Sequence, residues 1–326
     1  MLGGLMNILV RSAAASLAGG LALATAVLPA FAEDVPIPES AAPLVGMAYD
    51  PGNEELWLAG ADADQGTLVD ATGEKEVTFT ADLVSVQALS WSGDRLWVGD
   101  IGDPRSTRDT IVVYRLGSTD GGRTTYHAYD FQYEDQPQDA QAMLISGRGN
   151  IYIVTGGESP GVYRVRGDIS REDMNTLVRV YDAPEGVTDG VFLSDGSTMA
   201  LRTTAGIEYI DALRWEPLVT DTIVGAPEGE SIARGADDEL FVGGNPAVRV
   251  SEVPGEDVTT TVAPEVAESP SAEPSTTAPT ATGSEEPAAP EPAAEEGPAR
   301  AGTITALALA AAVALAAGVV TYLWRN

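Results

Sequence analysis

A repeat restricts this chain more than any other feature. Short apolar runs centred on Trp57, Trp97, Tyr152, Met199 and Phe241 recur at spacings of 40, 55, 47 and 42 residues. A period near 45 with four short strands per copy predicts an all-β fold, a β-propeller, because each unit is one supersecondary element that buries its faces only against its neighbours. Five four-stranded repeats are visible, and a sixth, degenerate blade stays open.

The anatomy inside each copy supports this reading. Ten to twelve residues before each central residue a short strand begins: Val45-Gly46-Met47, Gln87-Ala88-Leu89, Gln141-Ala142-Met143, Asp189-Gly190-Val191 and Glu230-Ser231-Ile232. A Gly/Asp/Asn turn follows, such as Ser92-Gly93-Asp94 or Asp195-Gly196, of the kind that tight hairpins require. The small residues Gly46, Ala88, Ala142, Gly190 and Ser231 suit the crowded inner edge of a blade. The residues before them place Gln87, Gln141, Asp189 and Glu230 around one mouth of a central channel, where their oxygens are candidate ligands for a cation such as calcium.

The loops joining the second and third strands gather on the same face, and loops on rigid scaffolds are where binding residues concentrate. The richest runs from Asp100 to Asp109 and holds Asp100, Asp103 and Asp109 beside Arg105 and Arg108; Glu158 and Arg202 lie in or at equivalent loops. Such a cluster either grips a charged ligand or pins its own loop, since opposite charges satisfy each other first.

Composition removes other chemistries. No cysteine is present, so disulfides, thiol catalysis and cysteine zinc sites are excluded. A balance of 18 basic against 49 acidic residues, net -31, opposes phosphate backbones, so nucleic acid is not an expected partner. The one histidine, His127, lies in the alternating run Thr124–Tyr129, as on a half-exposed outer strand, and no G-x-S-x-G elbow presents a serine.

The ends of the chain carry the topology. Residues 1–32 have the layout of a secretory signal peptide, with an apolar run from Ala13 to Leu28 and the small-x-small site Ala30-Phe31-Ala32. Residues 33–253 are the expected propeller domain. Residues 254–300 hold nine prolines and no aromatic residue, a composition expected to stay disordered as a stalk reaching up to about 140 Å if extended. Residues 301–326 contain the uncharged run Thr303–Trp324, whose helix would be about 33 Å long and cross a bilayer, leaving a short cytoplasmic tail. The expected location is therefore the cytoplasmic membrane, by a single C-terminal span, with the propeller outside.

The run Leu96-Trp97-Val98-Gly99-Asp100-Ile101-Gly102-Asp103, with Arg108-Asp109, Val113-Tyr114-Arg115, Asp139-Ala140-Gln141-Ala142-Met143, Gly161-Val162-Tyr163-Arg164, Val187-Thr188-Asp189-Gly190 and Glu228-Gly229-Glu230-Ser231, resembles a group of secreted, membrane-anchored β-propeller proteins of high-GC Gram-positive bacteria. That group is distantly similar to WD40-like, NHL-like and esterase-like phytase propellers. The resemblance implies a propeller and transfers no settled activity. This chain departs from it at Gln87 and Gln141, where carboxylates are expected, and at Pro104, where asparagine is; amides keep the oxygens of a cation site and lose the charge.

Two functions follow as expectations. One is a surface-displayed binding or scaffolding module for an extracellular ligand or protein. The alternative is a calcium-assisted hydrolase of phosphate esters, esters or lactones that uses Asp100, Asp103 and Asp109 with Asp189 and Glu230.

Overall fold

The computed structural model describes residues 34–262, Glu228 apart. Within them, β-branched and aromatic runs alternate with turn residues, many at positive φ, and the outcome is strand, turn, strand, interrupted only by short 3-10 helices at Glu39–Ala41, Ala63–Gln65 and Ala236–Asp238. The hairpin between Trp97 and the strand before it shows the local cause. Gly93 and Asp94 sit at φ 58° and 54°, giving a two-residue turn whose twist matches that of the paired strands, with Ser92 opposite Arg95.

After a short N-terminal strand, β1 (Val35–Pro36), the chain builds blade one from β2 (Gly46–Asp50), β3 (Glu55–Ala59), β4 (Thr67–Asp70) and β5 (Glu76–Thr78). Blade two comprises β6 (Val86–Ser92), β7 (Arg95–Asp100) and β8 (Ile111–Leu116); a two-residue strand, β9 (Gly122–Arg123), intervenes before its outer strand β10 (Tyr126–Tyr133). Blade three holds β11 (Ala140–Ile145), β12 (Ile151–Thr155), β13 (Gly161–Val165) and β14 (Asn175–Asp182). Blade four holds β15 (Val187–Phe192), β16 (Thr198–Thr203), β17 (Gly206–Asp211) and β18 (Glu216–Val224). Blade five has β19 (Ser231–Arg234), β20 (Leu240–Gly243) and β21 (Ala247–Ser251), and β22 (Val258–Thr261) follows it.

The fourth strand of blade five comes from the other end of the chain. β1 pairs antiparallel with β21, Val35 opposite Val248 and Pro36 opposite Ala247. Proline is tolerated there because an edge position needs no inward amide. The inner strands β2, β6, β11, β15 and β19 neighbour one another in that order, and β19 returns to β2. Five buried cores lie one at each interface between blades, including Leu44, Met47 and Leu58 against Ala233 and Val248, where blade five meets blade one. Among the described residues the ring therefore closes with five blades, and no sixth is required.

The period read from the sequence is reproduced in register. Trp57 faces Ala48, Trp97 faces Ser90, Tyr152 faces Leu144, Met199 faces Phe192 and Phe241 faces Ala233, equivalent places on the first hairpin of each blade. The small residues are needed where inner strands approach closely: a Cβ on Gly46 would lie 2.7 Å from the backbone nitrogen of Leu89 on the next blade.

Outer edges are partly covered by parallel pairing across blades. β9 adds to β5, β14 pairs with β10 to join blades two and three, and β22 adds to β18. Covered edges present fewer open backbone groups to other chains. The last pairing corrects the expected boundary of the stalk. Residues 258–261 are a strand because a Val-Thr-Thr-Thr run of β-branched residues finds an open edge, with Asp221 opposite Val258 and Val224 opposite Thr261. Thr260 Oγ1 also donates to Asp221 Oδ1 at 2.9 Å.

Among the described residues no helix is long and apolar enough to cross a membrane. The expected signal peptide, the stalk beyond residue 262 and the expected span at 303–324 lie outside the described residues.

Candidate functional site at the mouth of the propeller

Three inner strands start with a β-bulge, and its position decides what the mouth presents. In β6 and β11 the register shifts across Gln87 and Gln141, so each is the extra residue. Both are half-buried; Gln87 Nε2 donates to Ser85 Oγ at 3.1 Å and Gln141 Nε2 to Asp139 Oδ2 at 2.9 Å. In β15 the shift falls one residue earlier, at Thr188, which leaves Asp189 in register opposite Arg202 and fully buried. Gln87, Gln141, Asp189 and Glu230 each immediately precede the small residue of their inner strand, yet they do not share one register, and the structure does not make them one ring of exposed oxygens.

Asp189 joins two blades. Its Oδ1 accepts from Gly190 N at 2.8 Å and its Oδ2 from Ile232 N on β19 at 3.0 Å. Burial pushes its carboxyl well above the ordinary range, and the backbone hydrogen bonds from Ile232 and Gly190 oppose that only in part. Beside it Thr188 Oγ1 donates to the carbonyl of Glu230 at 2.6 Å. Glu230 Oε2 takes Arg202 Nη2 at 2.7 Å and Arg249 Nη2 at 2.6 Å. Arg202 Nη1 also donates to the carbonyls of Thr203 and Gly206. Glu230 Oε1 and Arg202 Nε are buried without a partner.

The β7–β8 loop is the second network. Asp100, at the end of β7 and fully buried, accepts from Ser85 N at 2.7 Å and Val84 N at 3.2 Å, and takes a two-pronged contact from Arg108, Nη1 at 3.2 Å and Nη2 at 3.1 Å. Asp103 Oδ2 accepts from Thr107 N at 2.5 Å and Arg108 N at 2.6 Å, while Asp103 N donates to Asp139 Oδ1 on the neighbouring blade at 2.8 Å. Arg108 Nη1 further reaches the carbonyl of Gly102 at 2.9 Å. The loop is thus held from below by buried carboxylates. Arg105 and Asp109 are exposed on it, and Glu158 is exposed on the β12–β13 loop; none of the three has a side-chain hydrogen bond or ion pair among the described residues.

The candidate residues therefore separate into groups. Asp100, Asp103 and Arg108 form one network; Arg202 and Glu230 form another with Arg249; Arg105, Asp109 and Glu158 stand at loop tips. Of the five carboxylates expected to serve a calcium-assisted hydrolase, Asp100, Asp103, Asp189 and Glu230 receive backbone amides or guanidinium groups, and Asp109 stands exposed at the loop tip. Among the described residues no group of three or more histidines and carboxylates is placed to hold a metal ion.

Sequence reasoning missed the residues that staple blade to blade at this mouth. Asp64 Oδ1 accepts from Val86 N at 2.6 Å, and Asn245 Oδ1 from Leu44 N at 3.3 Å. Both lie in second-to-third-strand loops, so their position in the repeat was the available signal. Arg249 had none: it sits on β21, and only the packing of blade five brings it to Glu230.

No protein-family model matches the chain. No curated protein sequence matches it. Among solved structures, the chain is similar to a catalytically inactive virginiamycin B lyase from Staphylococcus aureus with quinupristin, at 12% identity and a TM-score of 0.38, covering 69% of this chain and 76% of that one. It is also similar to a gluconolactonase from Xanthomonas campestris, at 13% identity and a TM-score of 0.43, covering 70% and 99%. A luciferin-regenerating enzyme aligns at 14% identity and a TM-score of 0.38, covering 66% and 95%. Likeness at this level carries no activity to this chain; the propeller assignment rests on the strand order, the register and the closed ring of cores.

Proposed function

We propose that the chain is a membrane-anchored binding module whose propeller stands outside the cell, carried on the acidic stalk and held by the C-terminal apolar segment. The observation that carries this reading is the β7–β8 loop. Two buried carboxylates, Asp100 and Asp103, fix its backbone through Ser85, Thr107 and Arg108, and it offers Arg105 and Asp109 to solvent. A loop fixed before it meets a partner loses little entropy on binding, and this is the economy that recognition surfaces use. The net charge of -23 on residues 33–251 favours cationic or polar partners over anionic ones at the propeller surface as a whole.

Membership of the secreted group that the sequence resembles belongs to the same proposal, since that group combines a propeller with export and anchoring. Treating intact cells with protease, against lysed cells as the control, tests the display. Loss of the propeller from intact cells is the expected result. A propeller protected in intact cells and degraded only after lysis would refute the display.

A further inference from the structure

A second site lies at the other end of blades two and three, beside the turns that join first to second strands. A groove of about 630 Å³ opens there, bounded by Trp97, Arg115, Tyr129, Gly149, Ser170 and Arg171. Beneath it a packed aromatic pair holds Arg115 in place. The Trp97 ring lies 5.5 Å from that of Tyr129, both are buried, and the indole Nε1 is locked onto the carbonyl of Ser92 at 3.1 Å. The guanidinium of Arg115 lies over the indole, 5.6 Å from the ring centre. Its Nη2 donates to Nδ1 of His127 at 2.7 Å, which sets its orientation and leaves its other donors free. Partial burial, followed by the charges of Arg171 and Arg115, lowers the His127 pKa, consistent with a neutral imidazole that accepts this hydrogen bond.

The charges set the ligand. Arg108, Arg166, Arg179, Arg202, Arg214 and Arg249 each reach a carboxylate. Arg115 and Arg171 are among the arginines that make no ion pair among the described residues, and these two line one groove. Two guanidinium groups without an ion-pair partner match an oxyanion. Glu172 lines the same groove, so a dianion or a polyanion meets repulsion, whereas hydroxyl groups meet an acceptor. The volume falls in the range of small-molecule sites.

We infer that this groove binds a carboxylate-bearing saccharide, a uronic acid residue, with the carboxylate between Arg115 and Arg171 and a hydroxyl on Glu172. The site is separate from the loop face at the opposite mouth, and binding to purified chain is read independently of which side of a membrane the propeller occupies.

The test is calorimetric titration of the full-length chain in mild detergent with glucuronic acid, glucose 6-phosphate and glucose, with tryptophan emission followed in parallel. The expected result is saturable binding of glucuronic acid, at least about tenfold weaker binding of the other two, and loss of at least about tenfold in affinity in Arg171→Glu, the scale of one charge-assisted hydrogen bond. Arg171 is exposed, so this variant keeps the fold; Arg115→Lys, which retains charge but not the fork, is the second variant and is expected to weaken binding as well. No saturable binding of glucuronic acid, equal binding of glucose, or unchanged affinity in Arg171→Glu would overturn the site. Tighter binding of glucose 6-phosphate would overturn the uronate assignment.

Discussion

Arg202 on β16 and Glu230 at the start of blade five meet at 2.7 Å with side chains 1% and 0% exposed, so an ion pair is sealed between two blades. A buried pair gains its attraction only after both charges leave water, and removing one partner strands the other. Arg202→Ala is therefore expected to cost about 3–5 kcal/mol, read by urea denaturation. A loss below about 1 kcal/mol would mean that Arg249, which also holds Glu230 Oε2 at 2.6 Å, suffices alone.

Asp70 gives the pH dependence. It closes the β4–β5 turn by accepting from Thr72 Oγ1 at 2.5 Å and Lys75 N at 2.8 Å. Burial alone would raise its pKa, but these hydrogen bonds outweigh it and hold the carboxyl below the usual range. A depressed folded pKa means that the folded state favours the charged form. The stability is present above the unfolded value of about 4 and is lost as pH falls through the folded value. Asp70→Ala should cost about 1–2 kcal/mol at pH 7, with the difference from the parent shrinking steadily below about pH 4. A pH-independent difference would show that the loss is one of packing.

Asp103 is expected to govern the order of its loop more than the fold as a whole. Its carboxylate is the acceptor for both Thr107 N and Arg108 N. Asp103→Ala should raise hydrogen exchange at those two amides and lower stability by about 1–3 kcal/mol. Unchanged protection at Thr107 and Arg108 would show that the Arg108–Asp100 pair alone fixes the loop.

Calcium separates the binding reading from the hydrolase one. Asp100, Asp103, Asp189 and Glu230 already receive amides or guanidinium groups, so a divalent ion has to displace those donors, and Asp109 alone supplies too few oxygens. Titrating millimolar calcium into chelator-treated chain should produce no heat and no shift in Tm. A rise of several degrees would restore a cation site, the premise on which the hydrolase reading depends.

Much of the first hairpin of each blade was legible in the sequence. Trp57, Trp97, Tyr152, Met199 and Phe241 keep their period because each blade packs the same way on the next, and Gly93-Asp94 announces its turn by chemistry alone. The closing strand Val35–Pro36 was not legible. Two residues carry no periodicity, and their strand character exists only because β21 offers an edge more than two hundred residues away. The Val258–Thr261 strand escaped for the same reason.

The candidate site divides along the same line. Local residue types identified the charged β7–β8 loop, because its Asp and Arg residues are close in sequence and pair within it. They did not reveal that the bulge in β15 falls at Thr188, one place earlier than at Gln87 and Gln141, burying Asp189. Bulge position depends on how an inner strand meets two neighbours at once, which no single hairpin specifies.

The sequence by itself determined the repeat, the turns, the acidic surface and the absence of cysteine, each being a matter of residue type at short range. Only the tertiary structure decided the number of blades in the ring, the donors that occupy each carboxylate, and the gathering of Trp97, Arg115 and Arg171 around one groove. The blade number, the Arg202–Glu230 ion pair and the groove depend on contacts between blades, which residue type at short range does not specify.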